Sequence, residues 1–389
     1  MKPRAGSKAL IREINEALVL DVVRAQGPVA RAVIAARTGL SAATVTGIAG
    51  KLLQSGLLSE TDAVPSTGGR PARLLELGSD TVLAAGVRLS GTEAFVTLVN
   101  LRGDMIASHR ETLASTSPDD AEAAIARAVA VAAARRPAAT LTGVGVAVSG
   151  VVDQATGVVR HSGSLGWENV PLRDRLAGLT GAPVVLDSYV NSFASGLLLF
   201  DGRLAGRDLL VFSVGPSLGA SVVVQGRIHR GFNGSAGGFA HSRVCAGTAA
   251  VRPCHCGAVN CLETWSSHWG IRRELERRSE APEHLSGDGE EVVTDAADKL
   301  GAAMANAAKM FGPERVVMAF TREMDLPAFA ARTERMFRLQ YAQENTPAPE
   351  VELATADEPA LARGAAYNVL ARLFTAEVSE SDAGRPTAV

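Results

Sequence analysis

"CHCGAVNCLE", residues 254–263, gathers three of the chain's four cysteines within eight positions. So dense a thiol cluster is a disulfide framework, a metal site or a redox pair. The rest of the chain narrows the choice. Residues 1–18, "MKPRAGSKALIREINEAL", carry charges where a secretory leader needs an apolar core. No apolar run reaches the roughly 18–20 residues that span a bilayer. The expected setting is the cytoplasm, away from any membrane, and in a reducing compartment a metal site is favoured over a disulfide.

The 389 residues, 47% hydrophobic and 21% charged, suit a soluble chain of two or three domains. The net charge of −2 is unevenly spread. Residues 1–80 hold ten Lys and Arg against seven Asp and Glu, or +3, which leaves −5 for the remainder. A basic end on an acidic body suits an electrostatic partner for that end.

Within residues 1–80 the pattern is that of a DNA reader. Leu10, Ile14, Leu18 and Val22 recur every four residues and predict an amphipathic helix, broken at Gly27-Pro28. Arg31–Thr38 reads as a short helix, Gly39 as a turn, and Ser41 as the N-cap of a second helix running to Leu53. Val45, Ile48 and Leu52 face inward, which leaves Ala42, Ala43, Thr44, Thr46, Gly47 and Lys51 outward. This is a helix-turn-helix pattern whose second helix enters a major groove. Residues 56–77, "GLLSETDAVPSTGGRPARLLEL", read as strand, turn and strand, a wing with Arg70 at its tip for a narrow minor groove. The DNA-binding candidates are Ser41, Ala42, Thr44, Thr46, Lys51 and Arg70. A plain three-helix packing unit is the competing reading.

From Val82 onward, strands and helices alternate in two halves of similar layout. Strand-like stretches at 82–107 precede an Ala-rich helical run at 119–136 and an apolar strand at 141–153. Residues 182–200 and 208–231 repeat the theme, and 314–320 and 358–374 close it. The predicted fold is α/β: a winged helix-turn-helix over 1–80, a two-lobed body with a cleft over 81–378, and a disordered tail over 379–389.

Three stretches carry a family resemblance: "SVGPSLGA" (213–220), "AGGFAH" (236–241) and "CHCGAVNCLE" (254–263). The chain resembles the ROK family (repressors, open reading frames and sugar kinases), in its repressor branch with an N-terminal winged helix. The resemblance implies an actin-like, hexokinase-type body. It also implies a structural zinc held by Cys254, Cys256 and Cys261, with His241 as fourth ligand. Three free thiols, a disulfide, or Cys245 in place of His241 are the alternatives.

Against the family's kinases the chain departs at several points. "GVRLSGTE" puts Arg88 where the first phosphate loop holds an Asp. "DSYVN" puts Ser188 and Tyr189 where the Asn and the general-base Asp belong, and a phenol near pKa 10 is a poor base at neutral pH. Pro216 and Ser217 stiffen the second loop, and Ala319 and Phe320 are expected to fill adenosine's space. No catalytic residue is therefore assigned and no enzyme activity is expected. On the effector side, Gly238 replaces a sugar-binding Glu and Ser164 an Asn. Asn191, His241 and Glu263 remain as ligand candidates, with Trp167 as a wall of the cleft. An anionic ligand such as a sugar phosphate, drawn to Arg88 and Arg160, fits this balance, and the loss of any ligand fits it equally. The functional expectation is a transcriptional repressor, as homodimer or homotetramer, that binds double-stranded operator DNA. A sugar kinase or a protein-binding scaffold is the alternative.

Overall fold

The computed structural model describes residues 8–61, 73–78, 81–244, 251–278, 288–342 and 347–375. Its N-terminal unit runs through α1 (Lys8–Gln26), β1 (Val29–Ala30), α2 (Arg31–Thr38), α3 (Ala42–Gln54), β2 (Leu58–Thr61) and β3 (Leu74–Leu77). The three strands form one sheet in the order β1-β3-β2, giving a winged helix-turn-helix. Gly39 caps α2 at φ +71, a left-handed position that favours glycine, and this sets the turn into α3. Ser41 caps α3 by accepting from the Thr44 N–H at 3.1 Å.

The expected α1 stripe is corrected. Leu18 is 43% exposed, whereas Ala17, Val19, Leu20 and Val23 are buried. The cause is that α1 packs on two sides at once, against α2 and α3 and against the last helix of the body. A helix gripped from two directions buries a broader and rotated face than a single four-residue stripe marks.

The body holds two sheets of identical topology. The first contains β4 (Val82–Leu89), β5 (Glu93–Asn100), β6 (Met105–Thr112), β7 (Thr140–Val148) and, later, β11 (Val184–Ser188). The helix α4 (Pro118–Ala133) joins β6 to β7. Between β7 and β11 lie a small sheet, β8 (Val151–Asp153), β9 (Val158–Ser162) and β10 (Trp167–Val170), and α5 (Leu172–Thr180). After β11 comes α6 (Tyr189–Phe200). The second sheet contains β12 (Leu209–Val214), β13 (Leu218–Val224), β14 (Arg227–His229), β15 (Arg315–Phe320) and β16 (Glu350–Thr355). Its helices are α7 (Glu263–Ser266), α8 (His268–Arg277), α9 (Asp288–Phe311), α10 (Pro327–Tyr341) and α11 (Glu358–Phe374).

In each sheet the first three strands form an antiparallel meander, and the fourth and fifth add in parallel beside the first. Corresponding helices, α6 and α11, follow the fifth strands and pack on each other. The approach is close because side chains are missing where it happens. A Cβ on Gly145 would lie 1.8 Å from the Ala365 carbonyl oxygen, and one on Gly86 1.9 Å from that of Ala362. Glycine at those two sites lets α11 rest on the backbone of β4 and β7. Further along α11, Ala366, Tyr367, Val369, Leu370 and Phe374 join a core shared with Val19, Leu20 and Val23 of α1. The N-terminal unit is thus packed onto the helix that rests on β4 and β7.

Candidate functional site

The cysteine segment folds as a tight knot beside β13. Isolated bridges pair Arg243 with Cys261 and Pro253 with Val259, and the Gly257 N–H donates to the Cys254 carbonyl at 3.0 Å. His241 ends a short 3-10 turn, Gly238–His241. The four ligand atoms of His241, Cys254, Cys256 and Cys261 lie within 4.8 Å of one another. Cys254 Sγ is 3.7 Å from His241 Nδ1, and Cys256 Sγ is 3.6 Å from Cys261 Sγ. A tetrahedral zinc with Zn–S near 2.3 Å has ligand-to-ligand edges of about 3.5–3.8 Å, so the donor set fits that ion. Burial pushes the Cys261 thiol up to about 12 and raises Cys254, whereas at Cys256 burial is outweighed by hydrogen bonds to the Ala258 backbone and the neighbouring thiols, which lower it. Burial, with His161 nearby, lowers His241 and keeps its imidazole neutral, the form a metal ligand needs. Cys245 lies outside the described residues. Among them, the cysteines carry no disulfide.

Arg88 and Tyr189, the two residues expected to depart from a kinase pattern, stand together where the lobes meet. The Arg88 guanidinium on β4 stacks over the Tyr189 ring at 5.0 Å from its centroid. Tyr189 opens α6, and its hydroxyl reaches 3.4 Å from the Ser217 hydroxyl in the β12–β13 turn of the other lobe. A Cβ on Gly219 would meet that hydroxyl at 2.7 Å, so the phenol packs directly against the backbone of β13. Burial raises the phenol to about 12, far from use as a base. Phe320 does not fill an adenosine space. It is 4% exposed within the second lobe's core, edge-on to Phe329. Trp167 is no cleft wall either: it sits in the first lobe's core and donates to the Thr116 carbonyl at 2.7 Å. Both are large aromatics on strands, where core packing claims such side chains first.

Of the ligand candidates, Glu263 is 1% exposed and accepts from the Leu218 N–H at 2.8 Å, and burial pushes its carboxyl up to about 8. Asn191 is buried and donates to Asp187 Oδ1 at 2.8 Å. His241 faces solvent at the knot, with the His255 ring at 5.6 Å. Ser164 is exposed, and the neighbouring Gly163 lies against His255. Residue reading missed Asp187, a carboxylate 1% exposed. Arg230 donates to it twice at 2.8 and 2.9 Å, Gln154 at 3.2 Å, and the Ser188 N–H at 2.8 Å. Its place in "DSYVN" beside the altered base position was the available signal. Arg160, expected to attract a ligand, is paired with Asp153 at 2.5 Å.

On the N-terminal unit, Ser41, Ala42, Thr44 and Thr46 are exposed along one face of α3, while Val45, Ile48, Ala49 and Leu52 are buried beneath. A Cβ at Gly47 or Gly50 would meet nothing within 4 Å, so these glycines flatten the outer face and do not serve internal packing. Lys51 is not free: its ammonium contacts Glu16 at 2.6 Å. Arg70 lies outside the described residues. No single described helix is long and apolar enough to cross a membrane.

The chain is 26% identical over 345 residues to the xylose repressor of Caldicellulosiruptor bescii, covering 80% of this chain and 84% of the relative. It is 27% identical over 335 residues to the DNA-binding transcriptional dual regulator NagC of Escherichia coli K12, covering 81% and 82%. In structure it resembles a ROK family transcriptional regulator, a homolog of the E. coli MLC protein, at a TM-score of 0.76 and 21% identity, covering 94% and 98%. The ROK family model matches residues 84–372, so this chain belongs to the ROK family.

Proposed function

We propose that the protein is a DNA-binding transcriptional repressor whose kinase-like body has become a sensor. The observation that carries this is the flat, exposed face of α3, held over a buried Val45–Ile48–Ala49–Leu52 stripe in a winged helix-turn-helix. The repressor and regulator names of its relatives support the same reading. Residues 1–80 form the DNA-binding domain, with Ser41, Ala42, Thr44, Thr46, Lys51 and Arg70 at the duplex. Ser41 acts mainly as a cap, and Lys51 must exchange Glu16 for a phosphate to contribute. Residues 81–378 form the sensing and oligomerising body, and 379–389 a tail. The repressor is cytoplasmic and works as a homodimer or homotetramer on a double-stranded operator.

The body performs no phosphoryl transfer. Support comes from Arg88 in the place of a metal-holding carboxylate and from Tyr189, neutral at physiological pH, in the place of the base. Zinc is structural, held by His241, Cys254, Cys256 and Cys261. A sugar or sugar-derived effector is bound near Asn191, His241 and Glu263. Salt-dependent binding tests the DNA reading: neutralised phosphates give a steep fall of affinity with salt. Binding that is absent, or flat from 50 to 200 mM salt, would leave a protein scaffold as the better account.

A further inference from the structure

Among the described residues, several charged groups near the inner ends of the two lobes are answered by an opposite charge, whereas Arg88 and the buried Glu263 are not. Asp187 is met by Arg230, and Asp153 by Arg160. On the outer side of β4's end, Arg110 is shared between Glu93 and Glu358, the latter at 2.8 Å. Arg88 is the cation left without a partner. Among the described residues no carboxylate lies within ion-pair distance of it. Its guanidinium donates to the adjacent Leu89 carbonyl and rests on the Tyr189 ring. Glu358 acts on it only from farther away.

A half-buried cation without a counter-ion is costly. Burial lowers the pKa of Arg88, which records that cost, and Tyr189 gives little back because its phenol stays protonated. The guanidinium is planar, and its bond to Leu89 and stacking on Tyr189 leave donors unclaimed. Five donors in a fixed fork match a carboxylate or phosphate in two-point contact. The position is also suggestive: β4 of one lobe, the start of α6, and the β12–β13 turn of the other meet at Arg88, Tyr189 and Ser217. A group held there touches both lobes at once.

We propose that Arg88 is the docking point for the anionic group, phosphate or carboxylate, of a polyhydroxylated effector, held between the lobes without a metal ion. This rests on the effector-sensing part of the proposed function and specifies the ligand's charge. Arg160 and Arg230, committed to Asp153 and Asp187, are excluded as the anion's partners. Because the guanidinium itself supplies the positive charge, divalent cations do not assist binding. The effector's anionic end lies between Arg88 and Ser217, the two groups that Tyr189 bridges.

The test uses the full-length, zinc-containing chain without added magnesium. Calorimetry compares glucose 6-phosphate, N-acetylglucosamine 6-phosphate and glucuronate with glucose, N-acetylglucosamine and inorganic phosphate. At least one sugar anion should bind saturably and tenfold or more tighter than both its neutral parent and inorganic phosphate. Arg88→Gln should weaken that binding at least tenfold, Arg88→Lys should recover part of it, and Arg160→Ala should change it less than threefold. Melting curves of each variant verify folding. Equal binding of a sugar anion and its neutral parent, an unchanged Arg88→Gln, or no binding by any anionic sugar overturns the proposal. Inorganic phosphate binding as tightly as the sugar phosphates reduces the site to an ion site and overturns it too. A gel-shift with the gene's upstream DNA on the same samples separates the two levels. DNA binding without sugar-anion binding defeats only this proposal, whereas sugar-anion binding without DNA binding defeats the repressor reading.

Discussion

Changing Cys256 to Ser removes one of four donors from a knot whose edges, 3.6 and 3.7 Å, match a zinc tetrahedron. Structural zinc in small peptides contributes about 10–16 kcal/mol of apparent binding free energy, so one ligand of four accounts for roughly 3–4 kcal/mol. That corresponds to about 10² to 10³ in zinc affinity. The mutation should not unfold the body, because the first lobe's core is built from β4–β7, β11 and α4 and does not involve the knot. Melting should split, with an early transition from residues 241–261 and the adjoining α7 and α8. The assay is metal content of protein purified without added zinc, followed by competition with a chromophoric chelator. Wild type should hold one zinc per chain, and the variant should release it at far lower chelator concentration. A metal-free wild type that melts in one unperturbed transition would refute the zinc reasoning.

Other expectations are equally specific. ATP should neither turn over with common hexoses nor raise the melting temperature: at pH 7 a phenol at about 12 is ionised in about one molecule in 100,000. Steady turnover in a coupled assay would contradict this. Glu274, held at about 2 instead of 4.5 chiefly by Arg277, with Arg278 and Arg252 adding to it, contributes on the order of 3 kcal/mol. Its folded pKa is depressed, so that stability is present above about pH 4.5 and lost as pH falls towards 2. Glu274→Gln should therefore destabilise at pH 7 and matter little near pH 2 in denaturant titrations. Leu20→Ala, at a site 3% exposed between the N-terminal unit and α11, should cost about 2–4 kcal/mol and loosen that unit first, visible by hydrogen exchange. Arg70→Ala should weaken DNA binding by roughly 1–3 kcal/mol and lower the salt slope without changing the melting temperature.

The sequence made some parts of this molecule readable and hid others, for reasons that particular residues show. The turn at Gly39 and the cap at Ser41 are local chemistry, so the helix-turn-helix could be placed from spacing alone. The knot was legible because thiols are scarce and their spacing is specific. What failed depended on distant packing. Leu18 looked buried by period, yet α11, more than 300 positions away, chose the face of α1. Phe320 and Trp167 were read as cleft residues from their places in the family pattern, but as large aromatics on strands both pack into the lobe cores. Arg160 and Arg88 look alike as cations in sequence; only the fold reveals that Asp153 satisfies one and leaves the other unmatched.

The central claim, that the exposed face of α3 reads DNA in order to regulate transcription, is tested most directly by genome-wide mapping of the sites the full chain occupies in its own cells. The account predicts a small number of discrete sites near transcription starts, each containing an inverted repeat. These should be lost when Thr46→Glu places a negative charge on the outer face of α3. A map with no enrichment over control, or one that Thr46→Glu leaves unchanged, would contradict it.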